Sequence, residues 1–204
     1  MLRVGSVPYL NARPLLCGLA DDVGPLHFAL PGVLAGDLAA GRIDVALAPV
    51  VVAFDHPGLC LVPVAGVVAR GAVKSVLLFS DRAPEEIRTV GLDTSSRTSA
   101  ALVRVLFEHR WGTRPTFRPR PPDPVISCRE HDAVLLIGDP ALRAVWTGRP
   151  PIDLGAEWTG WTGLPFVFAA WIARDADTAA RAEQPLRKAA ETGRARLDAI
   201  AALE

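Results

Sequence analysis

What this 204-residue chain lacks narrows its function before any motif is considered. It has no excess of either charge: 22 basic residues balance 22 acidic ones. No basic stripe interleaves with aromatics, so nucleic acid is not an expected partner. No apolar run is long enough to span a bilayer, because stretches such as Leu59–Ala69 are interrupted by proline and glycine. A soluble chain with no membrane partner is expected. Met1 leads directly into a strand, without the basic region, apolar core and small-residue cleavage site of a leader, so the expected location is cytoplasmic. Cysteines are few and far apart. Cys17, Cys60 and Cys128 lack the close pairing of a zinc or redox motif, and each is expected to be a buried thiol packing as a small hydrophobe. His27, His56, His109 and His131 are isolated, none at metal-ligand spacing with carboxylates, so no metal is expected. A glycine-rich phosphate loop, a nucleophile elbow and a helix-turn-helix pattern are all missing, which leaves nucleotide binding, serine hydrolysis and DNA reading unsupported.

What is present is a large apolar complement, 50% of the residues, enough for a substantial core. Apolar runs of strand length alternate with segments of helical period, the pattern of βαβ units on a parallel sheet. In the first half the spacing predicts a strand over Arg3–Gly5, a helix over Ala12–Leu19, a strand over Leu26–Ala29, a helix over Val33–Ala40 and a buried strand over Ile43–Ala48. Pro31 suits a first helical turn, and Gly41 suits the left-handed position that follows a helix. Two apolar segments, Leu59–Ala69 and Ser75–Phe79, read as a connection. The alternation then restarts: strand Thr89–Leu92, helix Thr98–Arg110, short strand Thr116–Arg118, strand Ala133–Ile137, helix Pro140–Trp146, strand Phe166–Ile172 and helical Asp175–Leu203. The proline-rich stretch Arg118–Pro124 reads as a surface loop. The expected fold is α/β, two βαβ lobes with a central interlobe cleft, a setting that suits small ligands. Residues 1–80 with 167–204 form the expected lobe one and residues 81–166 lobe two.

Three strand-to-helix turns hold the polar chemistry. Ser6-Val7-Pro8-Tyr9-Leu10-Asn11 follows the first strand, where backbone N–H groups and short polar side chains can hold an anion. Asp93-Thr94-Ser95-Ser96-Arg97-Thr98-Ser99 opens a helix. It reads either as a well-capped helix start or as a carboxylate cradle of hydroxyls and one guanidinium. Leu136-Ile137-Gly138-Asp139-Pro140 repeats the geometry, with Gly138 allowing close backbone approach and Asp139 serving as a helix cap. Trp158 and Trp161 fall on one helical face, as core or as a ligand-facing wall.

These segments, with Ile43–Leu47, Lys74–Ser80 and Glu157–Phe168, together resemble the chorismate dehydratase family of the futalosine route to menaquinone, in order along the chain through Arg174. The resemblance implies a type II periplasmic-binding-protein-like fold used as an enzyme. It implies a carbon–oxygen lyase, a hydro-lyase converting chorismate to 3-[(1-carboxyvinyl)oxy]benzoate and water without metal or organic cofactor. By position it implies catalytic roles for Asn11 and Ser6. Tyr9, Pro8, Ser75, Ser95, Ser96, Arg97, Thr98, Gly138 and Asp139 would bind the substrate. Members of the family extend tens of residues further, adding helices to lobe one, so lobe one is smaller here or the sequence is a shortened form. Relatives also often carry a polar residue after the proline of the third strand, where this chain has Val50. The competing reading is a non-catalytic small-carboxylate solute-binding protein, since a shared fold does not decide function.

Overall fold

The computed structural model describes residues 1–93, 95–123 and 130–202. Its strands are β1 (Val4–Ser6), β2 (Leu26–Phe28), β3 (Val45–Pro49), β4 (Cys60–Ala69), β5 (Val76–Phe79), β6 (Thr89–Asp93), β7 (Thr116–Arg120), β8 (Ala133–Ile137), β9 (Ile152–Asp153) and β10 (Phe166–Ala173). Its α-helices are α1 (Leu19–Val23), α2 (Pro31–Ala39), α3 (Val51–Asp55), α4 (Arg97–Val105), α5 (Asp139–Leu142), α6 (Leu154–Thr162), α7 (Ala176–Arg194) and α8 (Leu197–Ala201). The chain divides into two compact units, residues 1–67 with 167–204, and residues 68–166.

The first unit is built on a sheet of order β2-β1-β3-β10-β4. β1 runs parallel to β2 and β3, whereas β10 returns antiparallel to β3. β3 is buried along its whole length, which explains its unbroken apolar sequence: a central strand covered on both faces has no polar side to show. Leu34 and Leu38 of α2, Trp171 and Ile172 of β10, and Leu186 of α7 pack into the same core. At the amino ends of β1 and β3 one carboxylate ties three segments together. Asp44 accepts from the Arg3 main chain at 2.8 Å, from Arg3 Nη2 at 2.7 Å and from Arg174 Nη1 at 2.9 Å. The Arg3 side-chain bond is the chief reason that its carboxyl is held down at about 2, with burial opposing.

The helix predicted over Ala12–Leu19 is instead a 3₁₀ segment, Leu10–Leu16, followed by α1. Pro14 inside the segment removes a donor, and Gly18 at φ 71° breaks the run. α7 lies across this segment at very close range: a Cβ on buried Gly193 would sit 1.8 Å from the Pro14 carbonyl oxygen. Only glycine permits that approach.

The second unit has the sheet order β7-β6-β8-β5-β9, the pattern of the first sheet repeated. β6 is parallel to β7 and β8, and β5 is antiparallel to β8 and β9. Residues 68–80 lie in this unit, whereas the sequence placed the lobe boundary at 80. β5 is the reason: its apolar residues pair with β8 in the middle of the second sheet. β7 continues through Pro119 to Arg120, into the stretch expected to be loop. It is an edge strand, where the missing proline N–H costs nothing. Pro124 lies outside the described residues.

α4 passes into a π-helical turn over Leu106–Arg110, completing the predicted helix. The helix expected over Pro140–Trp146 stops at Leu142. Trp146 turns away to pack edge-on against Phe79 at 6.0 Å and to donate to the Arg149 carbonyl at 2.7 Å. Trp158 and Trp161 sit edge to face at 6.0 Å on α6, and Trp158 contacts Phe166 at 5.1 Å, so the pair serves as packing with Trp161 at its rim. Cys17, in a turn, and Cys60, at the start of β4, are half-buried rather than buried, and Cys128 lies outside the described residues. Among the described residues no helix is long and apolar enough to cross a membrane, and no cluster of three or more potential metal ligands forms.

Candidate functional site

The residues singled out from the sequence form two groups, one in each unit. In the first unit, β1 ends at Ser6, which is fully buried; its carbonyl accepts from Ala29 N at 3.2 Å and its hydroxyl reaches the Val7 carbonyl at 3.4 Å. The chain then emerges. Pro8 is exposed, Tyr9 is 45% exposed and caps the 3₁₀ segment by its carbonyl, and Asn11 stands on the first turn of that segment. The Asn11 side chain is exposed and has no hydrogen-bond partner among the described residues. An amide held on a packed turn with both ends unengaged is able to donate and accept toward a ligand.

In the second unit the polar turns gather at the carboxyl ends of the neighbouring parallel strands β6 and β8. β6 connects to β7 on one side while β8 lies on the other, so the strand order reverses here, the position where open α/β sheets take ligands. Asp93, 1% exposed, holds the two ends together: Oδ1 accepts from Ser95 N at 2.7 Å and Oδ2 from Ile137 N at 3.1 Å. Ser96 caps α4, its Oγ accepting from Ser99 N at 3.3 Å and donating to Ser99 Oγ at 3.1 Å. Ser95 and Arg97 are exposed. Thr98 is 1% exposed, and its hydroxyl has no hydrogen-bond partner among the described residues. A buried polar atom left unpaired is costly, so this hydroxyl is a strong candidate for a ligand contact.

Ser75 precedes β5, and its carbonyl accepts from Gly138 N at 2.7 Å, which brings Ser75 beside the Gly138 turn. Gly138 has φ 66°, a value that favours glycine. Asp139 differs from expectation. Gly138 occupies the cap position, and Asp139 is the first helical residue, its 74%-exposed carboxylate 3.4 Å from Arg143. Pro140 at the second position shifts the helix start one residue earlier than a capping aspartate would.

Sequence reasoning missed Asp93 as an organising residue. Its signal was present: an aspartate closing a buried apolar strand with its carboxylate two residues ahead of an N–H donor forms an Asx turn. A hollow of about 210 Å³ opens beside this turn, walled by Asp93, Ser96, Arg97, Arg104 and Pro119. A wider hollow of about 440 Å³ lies in the first unit at the amino end of β1, beside Arg3, His27, Asp37 and Arg42. Its Asp37 carboxylate is already engaged by Arg42 at 2.7 Å and His27 at 3.3 Å, and none of the predicted site residues reaches it.

The paired sheets of identical strand order, with polar turns at the carboxyl ends of parallel strands, define a protein of the periplasmic-binding-protein-like fold. The chain superposes on protein AF1704 of Archaeoglobus fulgidus with a TM-score of 0.71 at 12% identity, covering 98% of this chain and 78% of that one. It superposes on the periplasmic aliphatic sulphonate binding protein SsuA of Escherichia coli with a TM-score of 0.51 at 15% identity, covering 99% and 76%. The chain belongs to the menaquinone biosynthesis family, the family of the chorismate dehydratases, whose family model matches residues 2–203. It is 31% identical over 224 residues to the chorismate dehydratase of Thermus thermophilus, covering 94% of this chain and 82% of that enzyme.

Proposed function

We propose that this protein is a chorismate dehydratase, a carbon–oxygen lyase that converts chorismate to 3-[(1-carboxyvinyl)oxy]benzoate and water in menaquinone biosynthesis. What carries this function is the 31% identity to the Thermus thermophilus enzyme across nearly the whole chain. The site chemistry is compatible. Chorismate is a dicarboxylate with a ring hydroxyl to lose, and such a substrate asks for anion-holding turns and polar positioning more than for a strong nucleophile. Ser95, Ser96, Arg97 and Thr98 bind a carboxylate, aided by Ser75, with Gly138 and the main chain of Asp139 completing the far side. Pro8 and Tyr9 shape the wall that carries Asn11, and Ser6 supports it from the end of β1.

The reaction removes the proton on the ether-bearing ring carbon. The electron pair delocalises through the diene onto the ring carboxylate, hydroxide leaves from the adjacent carbon and takes up the proton as water, and aromatisation drives the step. The base is a carboxylate of the substrate, oriented by the Asn11 amide. Asn11→Ala is expected to lower kcat/KM for chorismate by well over about threefold; a smaller effect removes Asn11 from the mechanism. Tight binding of a small carboxylate without turnover by the parent protein would instead favour a non-catalytic binding protein.

A further inference from the structure

Lys74 is the one non-glycine residue with positive φ among the described residues, at 64°. An L side chain is disfavoured there, and glycine would adopt the same backbone freely. The conformation is imposed from outside. Asp153 accepts from Lys74 N at 2.6 Å and Val73 N at 3.1 Å, while the same carboxylate caps α6 through Gly155 N at 2.9 Å and Ala156 N at 3.0 Å. All four donors are main-chain groups, so the clamp would hold a glycine equally well. What a lysine adds at this position is its side chain alone. That side chain is exposed and has no partner among the described residues. The chain's other lysine, Lys188, is bound to Asp22 at 2.9 Å.

The location gives the ammonium a use. Ser75 follows directly and receives Gly138 N at 2.7 Å, so Lys74 lies where β5 begins beside the carboxyl end of β8. Asp93 joins that end of β8 to the Ser95–Thr98 turn. Arg97 brings one positive charge to that turn, and a substrate with two carboxylates drawn from water gains from a second charged donor. We propose that Lys74 is a substrate-binding residue, its ammonium pairing with a carboxylate of the dianionic substrate and its strained backbone retained for that purpose. This rests on the dicarboxylate substrate proposed above.

Strain at functional positions is the general observation that makes an outlier informative, and the test separates strain from charge. Equilibrium binding of the aromatic dicarboxylate product, which keeps both carboxylates and is not consumed, is measured calorimetrically for the parent and for Lys74→Met, Lys74→Gly and Lys74→Arg, with folding checked by circular dichroism. Met keeps the strained backbone and removes the charge, Gly removes both, and Arg keeps both. The expected result is a Kd raised about tenfold or more in the Met and Gly variants and largely recovered in Arg. Parent affinity is also expected to weaken more steeply with salt than that of Lys74→Met. A Kd within about twofold of the parent in both Met and Gly variants overturns the inference. So does a loss in Met that Gly restores, because the effect then belongs to the backbone. Turnover reports separately on the reading above. A parent that binds the dicarboxylate but does not convert chorismate defeats the dehydratase and leaves Lys74 to be judged on Kd, and a parent that does neither defeats both.

Discussion

Gly193→Ala is the perturbation whose outcome the structure defines most sharply. The new Cβ would lie 1.8 Å from the Pro14 carbonyl oxygen and 2.5 Å from its carbonyl carbon. A comfortable carbon–oxygen contact is about 3.3 Å, so α7 and the 3₁₀ segment must separate by roughly 1.5 Å. Both partners are backbone, and no rotamer change can absorb the clash. Overpacking of this kind costs about 1–3 kcal/mol, against a gain of about 1 kcal/mol from alanine's helix propensity. The net expectation is a loss of up to about 2 kcal/mol, read as a lower urea midpoint with unchanged slope. Gly36→Ala is the matched control. Gly36 is exposed in the interior of α2, and a Cβ there meets nothing within 4 Å. The same chemical change should therefore stabilise the protein by about 0.5–1 kcal/mol. The consequence reaches the site, because Asn11 and Pro14 share one 3₁₀ segment. A displacement near 1 Å can cost up to about 10²-fold in rate, so kcat/KM for chorismate should fall about tenfold or more while Gly36→Ala leaves it unchanged. A Gly193→Ala protein as stable as the control, or one of parental activity, would refute the account of how this loop is held.

Two further outcomes follow from named groups. Asp44 titrates near 3.8 in the unfolded chain and at about 2 in the folded one, so its stabilisation is fully present above about pH 4 and is lost as pH falls toward 2. Arg3 and Arg174 are 52% and 41% exposed, and solvent screening reduces the contribution to roughly 1 kcal/mol. Asp44→Asn should lower stability at neutral pH by that amount and flatten the acid limb of a denaturation series between pH 4 and pH 2. Thr98→Val removes a buried hydroxyl that has no partner among the described residues, and is expected to raise stability by about 1 kcal/mol in thermal unfolding. The same variant should weaken chorismate binding, and unchanged binding would take Thr98 out of the cradle.

Where a strand is buried on both faces, its sequence announces it. Ala133–Ile137 and the heart of β3 were legible because a continuous apolar run bounded by polar turns has few other ways to fold. Helix lengths were less so. The segment after Pro140 has the composition of a helix, yet Trp146 finds a better partner in Phe79, and that contact is tertiary. The unit boundary was hidden for the same reason, since nothing local in Val76–Phe79 says which sheet it joins. In the candidate site, the hydroxyl-rich helix start at Ser95–Ser99 was legible from residue types alone. The local Asx turn of Asp93 was readable too, whereas its bond to Ile137 and the clamp on Lys74 were not, because each joins groups more than forty residues apart in sequence. Gly193 is silent in sequence; only its contact with Pro14 shows why a side chain is excluded.

The central claim, dehydration of chorismate, is tested most directly by incubating the purified protein with chorismate and following the ultraviolet spectrum and the mass of the product. The expected result is an aromatic product lighter than chorismate by one water, formed by the parent and strongly suppressed in Asn11→Ala. Chorismate recovered unchanged from the fully folded parent protein would contradict it.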